Sequence, residues 1–100
     1  MRDVTAKIVG AWIGGKALKV GNTRTDGKNI YLHGNLIARR MADGKVQVSN
    51  GGYGSLTTRE RLNGIAAATL SNLRFGQKGG KQVIVYGGQT LQWDGGWIEL

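Results

Sequence analysis

Ile30-Tyr31-Leu32-His33-Gly34-Asn35-Leu36-Ile37-Ala38-Arg39-Arg40-Met41, continued by Asp43-Gly44 and Val46-Gln47-Val48-Ser49, is the stretch that decides how this chain reads. Short apolar segments are separated by Gly-Asn and Asp-Gly, dipeptides that supply the positive φ of tight hairpin turns. The spacing predicts a three-stranded antiparallel meander with strands over 30–33, 36–41 and 46–49. Successive side chains on a strand point to opposite faces, so Arg39 and Arg40 part company and only one of them joins a given surface.

Toward the N-terminus, Val4, Ala6 and Ile8 alternate with Thr5 and Lys7, the period of a half-buried strand. Gly14-Gly15 separates Trp12-Ile13 from a second segment in which Leu18 and Val20 face one way and Lys19 the other, which reads as an N-terminal β-hairpin. The polar stretch from Gly21 to Gly27 reads as a loop. Toward the C-terminus, Val83–Tyr86, Thr90–Trp93 and Trp97–Leu100, joined by Gly87-Gly88 and Asp94-Gly95-Gly96, predict a second meander. Its order of motifs echoes the first, either as an internal repeat or as two hairpins meeting the same turn chemistry.

Between the meanders lies one helical pattern. Thr57-Thr58-Arg59-Glu60 has the form of a capping box, and Leu62, Ile65, Ala66, Thr69, Leu70 and Leu73 fall on one stripe, with Gly76 placed to end it. The expected fold class is α+β: an N-terminal β-hairpin and two short antiparallel meanders, with one amphipathic helix over about 58–73 packed on the sheet, in a single domain over residues 1–100. The other side of that helix carries Gly64, Ala67, Ala68 and Ser71. Either alanine serves there as a good helix former, or a second surface approaches closely, a meander or the same helix of another copy in a homodimer.

Composition narrows the chemistry. The 100 residues include 18 glycines, no proline and no cysteine, which excludes disulfides, thiol catalysis and cysteine-ligated metals. The longest apolar run, Ile65 to Ala68, is far short of a membrane span, and the start shows no apolar signal segment, so the expected location is the cytoplasm and no membrane partner is expected. The net charge of +8 is uneven. Residues 1–50 hold nine Lys/Arg and three Asp/Glu, residues 51–100 five and three, and from Gln82 onward there is no basic residue. An acidic macromolecular partner is implied, either nucleic acid or an acidic protein complex.

No constellation points to catalysis, a metal or a cofactor. The one histidine, His33, stands beside a turn, and three of the six acids precede glycine. Gly21 to Lys28 mimics a phosphate-binding loop, but it has one residue too many between its glycines and Asn29 where a Ser or Thr is needed. The positive signal is the basic set Lys16, Lys19, Arg24, Lys28, Arg40, Lys45, Arg59 and Arg61, the candidate partner- or phosphate-binding residues. Trp12, Trp93 and Trp97 sit in apolar alternation and are expected in the core. Tyr31, Tyr53 and Tyr86 are better placed for a partly exposed contact.

Thr23-Arg24-Thr25-Asp26-Gly27-Lys28, Tyr31-Leu32-His33-Gly34-Asn35-Leu36-Ile37-Ala38, Thr57-Thr58-Arg59-Glu60-Arg61-Leu62-Asn63 and Trp93-Asp94-Gly95-Gly96-Trp97-Ile98, in that order, resemble a family of small bacteriophage-encoded proteins of unknown function. The resemblance runs from about residue 23 to the end and leaves residues 1–21 outside it. It implies a phage gene product made inside a bacterium. Three expectations follow: a non-enzymatic accessory protein that binds an acidic surface of a host nucleoprotein or defence complex, as an inhibitor of the anti-CRISPR type; a sequence-neutral nucleic-acid binder contacting phosphates; or a minor virion assembly protein.

Overall fold

The computed structural model describes residues 2–100. The order of elements is α1 (Asp3–Ile13), β1 (Ala17–Val20), β2 (Thr23–Asp26), β3 (Asn29–Leu32), β4 (Asn35–Arg40), β5 (Val46–Val48), α2 (Leu56–Ala68), β6 (Arg74–Lys78), β7 (Lys81–Tyr86), β8 (Gln89–Gln92) and β9 (Ile98–Glu99). The strands form a six-stranded sheet, β1-β2-β3-β4-β5-β9, and a three-stranded sheet, β6-β7-β8, with every pairing antiparallel. The α+β class and the central meander of the sequence reading stand. Its first turn is His33-Gly34, one residue ahead of the expected Gly34-Asn35, and takes positive φ at both residues, the conformation of a two-residue hairpin loop, as do Gly79-Gly80 and Gly87-Gly88.

Four expectations are corrected. Residues 3–13 are a helix and not a strand: Thr5, Ile8, Val9 and Trp12 are the buried positions, a helical period, while Ala6 is exposed. Val4 and Ile8 fit both periods, since i and i+4 share a helix face as well as a strand face. An N-terminal hairpin does exist, but β1 and β2 form it, and β2 falls in the stretch read as a loop. That strand hides its alternation in threonine: Thr23 and Thr25 are buried while Arg24 and Asp26 are exposed. The hydroxyls keep partners inside, Thr25 donating to the Asn29 carbonyl at 2.7 Å and Thr23 accepting from Arg61 Nε at 3.1 Å.

The helix over 58–73 is shifted to Leu56–Ala68. Ser55, and not Thr57, caps it, its hydroxyl accepting from the Thr58 N–H at 3.1 Å, and Glu60 turns away from the cap toward Arg61 and Thr5. Just past its last turn the Leu70 N–H reaches the Ala67 carbonyl at 3.1 Å, and the Leu70 φ of 59° turns the chain so that the Ser71 N–H reaches the Ala66 carbonyl at 2.9 Å. Leu70 is therefore 89% exposed and no part of the stripe. Gly76 lies within β6. A side chain at left-handed φ is strained where glycine is not, so Leu70→Gly is expected to stabilise the protein by roughly 1 kcal/mol in urea denaturation. Unchanged or lowered stability would count against this helix end.

The second meander is also redrawn. Its third strand, β9, leaves β8 and pairs with β5, with Gln47 opposite Glu99 and Val48 opposite Ile98, while β6 supplies the missing third strand. The echo between the two halves is thus turn chemistry and not a repeated fold. Both helices pack on one side of the large sheet, against Thr23, Thr25, Ile30, Leu32, Ala38 and Val48, and form the core together with Leu62, Ile65, Ala66, Phe75 and Trp93. Asn63 links the layers by taking the Phe75 N–H at 2.8 Å and giving its amide to the Phe75 carbonyl at 2.9 Å.

Candidate nucleic-acid interface

Neither helix packs on the other side of the six-stranded sheet. Register places its side chains: Lys19 pairs with Arg24, Arg24 with Tyr31, and Tyr31 with Leu36, so these four form one lateral row across β1 to β4. A second row runs Asn29, Arg39, Gln47, Glu99 across β3, β4, β5 and β9. Strands stand about 4.8 Å apart, so a row of four strands covers roughly 15 Å.

Two guanidinium groups lie over aromatic rings on this face. Arg24 sits 4.0 Å from the Tyr31 centroid, and Arg39 sits 4.0 Å from the Trp97 centroid with its Nε donating to Gln47 at 2.9 Å. Trp97, expected in the core, is 38% exposed: it reaches this face from the position just before β9. Its partner Arg39 takes the place expected of Arg40. Beside this pair an open depression of about 580 Å³ is lined by Leu36, Arg39, Trp97, Asn50 and the Gly51-Gly52 and Gly95-Gly96 backbones. A smaller one, about 280 Å³, lies between Lys19, Arg24, Asn22 and His33 at the other end of the row.

The cations of this face have no acidic partner among the described residues. Among the described residues, the ion pairs are Lys7 with Asp3 and Arg61 with Glu60. Asp26 shares the face, but its carboxylate is occupied by the backbone N–H groups of Asn29 and Lys28, at 2.7 and 2.9 Å. Those bonds, aided by the Arg24 charge, hold it below the usual carboxylate range. Lys16 and Lys28 stand at the adjoining strand ends, where Gly27, at φ 93°, lies so close to Gly15 that a Cβ would fall 2.5 Å from the Gly15 carbonyl oxygen. Only glycine fits there, which brings the two lysines to one rim.

The remaining predicted residues separate from this set. Arg40 points inward, over the Trp12 ring at 4.5 Å, and donates to the Trp12 and Gly27 carbonyls, both at 3.0 Å, so it ties the end of α1 to the β2–β3 turn. Arg61 is 5% exposed and bonded to Thr5, Thr23 and Glu60. Arg59 donates to the Gly54 carbonyl at 3.0 Å and lines a groove between α2 and β6, and Lys45 sits in the β4–β5 turn beside Leu70 and Tyr86. Of the four small residues, Gly64 and Ala67 line the α2–β6 groove, Ala68 packs on the core, and Ser71 lies beyond the helix, its hydroxyl accepting from the Leu73 N–H at 3.2 Å. They do not make one free face. Charge counting along the chain finds basic residues but cannot sort buried from exposed; strand register can, once β2 is recognised through its threonines.

The fold and this face define a small α+β protein with one helix-covered sheet whose opposite side carries unpaired cations and arginine-stacked aromatics. The chain belongs to the Kyanoviridae Gp96 protein family, whose model matches residues 1–98, and is thus a phage-encoded protein. The match takes in residues 1–21, which the sequence motifs left outside. No curated protein and no solved structure matches the chain.

Proposed function

We propose that this is a non-enzymatic phage protein that binds nucleic acid inside the host cell through the uncovered face of its six-stranded sheet, chiefly by contacts to phosphate. The observation that carries this reading is the row Lys19–Arg24–Tyr31–Leu36 with Arg39 beside it: three cations without an acidic partner on a face that neither helix packs against. Lys16 and Lys28 extend the positive charge along the rim. Cations so placed release counterions from a polyanion on binding, which makes affinity strong at low salt and weakly dependent on sequence.

The test is a titration of labelled oligonucleotides at several salt concentrations with the wild-type chain and with Lys16, Lys19, Arg24 and Lys28 all changed to Glu. These four side chains are exposed, so circular dichroism and melting are expected to stay close to wild type. Affinity should fall at least a hundredfold, and the wild-type log K against log salt slope should be about −3 to −4 for contacts of this number. Binding unmoved by either salt or the substitutions would remove the proposal. A host protein retained from lysate after nuclease digestion, with no nucleic acid bound, would replace it with an acidic protein target.

A further inference from the structure

We infer that the nucleic acid this face takes is single-stranded, with bases stacking at the Arg24–Tyr31 and Arg39–Trp97 pairs and phosphates held by Lys19 and the rim lysines Lys16 and Lys28 at the Arg24–Tyr31 end; this rests on the nucleic-acid reading above. A duplex turns its base faces inward and offers grooves that admit a helix or a narrow two-stranded ribbon. Here both helices hold their apolar sides against the sheet, and the free surface is the broad middle of six strands. That shape does not enter a groove.

It does offer flat π surfaces. Each guanidinium carbon sits over its ring, 4.0 Å from the centroid, and an unpaired base can either stack on the arginine or displace it and lie on the ring. Tyr31 stands in register between Arg24 and Leu36, with Asn29 Nδ2 3.5 Å from its hydroxyl, so its ring lies within the row before any ligand arrives. Leu36 lies next to Tyr31 in the row and lines the 580 Å³ depression that Arg39, Asp94 and Trp97 also border, so the depression leads from one stack to the other. Lys19 stands at one end of this path, while Asp94 and Glu99 mark its far end at the β9 side, where positive charge stops. Stacking of this kind is tolerant of sequence because every base has a π face.

The experiment compares a labelled oligo(dT) strand with a duplex of equal length at moderate salt, by anisotropy and by tryptophan emission. Trp12 and Trp93 are buried and Trp97 is the exposed indole, so quenching reports on the site. The single strand is expected to bind at least tenfold more tightly and to quench emission. Trp97→Leu should abolish most of the quenching and weaken single-strand binding about 5- to 150-fold while duplex affinity stays unchanged; Trp97→Phe should retain most of the affinity. Tyr31→Ala should act like Trp97→Leu on affinity. If both forms bind equally, or Trp97→Leu lowers both by one factor, the single-strand inference is overturned and the nucleic-acid reading survives. If neither binds, both fall together.

Discussion

Replacing Arg61 with alanine is expected to destabilise the protein by about 3–5 kcal/mol, the range for breaking a buried, hydrogen-bonded ion pair from one side. Arg61 is nearly enclosed, and its guanidinium serves Thr23 Oγ1 at 3.1 Å, Thr5 Oγ1 at 2.8 Å and the Glu60 carboxylate, joining β2, α1 and α2 at one point. Its removal leaves the Glu60 charge and the Thr23 hydroxyl short of partners in a place water reaches poorly. Urea denaturation measures the loss, and a change below 1 kcal/mol would show that the network relaxes freely.

The same network sets an acid limit. Burial by itself raises the Glu60 pKa, but hydrogen bonds from Thr5, the Arg2 backbone and Arg61, with the Arg61 charge, outweigh it and hold the carboxyl below its ordinary value. The unfolded chain then binds this proton more readily than the folded one. The stability it contributes is complete above about pH 4.3 and is lost as pH falls through the lower, folded value. Glu60→Gln should flatten that part of the stability–pH profile; an unchanged profile would assign the acid limit to other groups.

Trp12→Ala is the second large effect, expected to cost about 3–5 kcal/mol. The ring is 1% exposed at the meeting of α1 with the sheet, its Nε1 donates to the Lys28 carbonyl at 2.9 Å, and Arg40 covers its face. Losing it empties a core position and frees Arg40 from its stack at once. Trp12→Phe keeps most of the apolar area and gives up the hydrogen bond, so it should cost a smaller amount, near 1–3 kcal/mol. Thermal melting of the two variants should rank them in this order. Equal melting temperatures for Trp12→Ala and wild type would mean that α1 contributes little to the fold.

These two residues also mark where sequence reading stopped short. Trp12 reads as core from its neighbours, and it is, but on a helix. Five residues in alternation cannot be told from a helix when the apolar ones are also four apart. Arg61 reads as a surface cation because arginine usually is one. Thr5 and Thr23, arriving from positions 56 and 38 residues away, complete with the adjacent Glu60 the acceptors that let it stay inside.

By itself the sequence determined the α+β class, the meander over 30–49, the hairpin turns at glycine pairs and the excess of positive charge in the first half, because each depends on neighbours within a few residues. Tertiary structure decided the rest. It made a strand of the threonine segment, ended α2 at Ala68 ahead of the left-handed Leu70, carried β9 across to β5, buried Arg61, tied Arg40 to Trp12, and brought Arg39 and Trp97 together on the uncovered face. Burial and pairing are properties of contacts between distant segments, and a charge pattern read along one chain does not contain them.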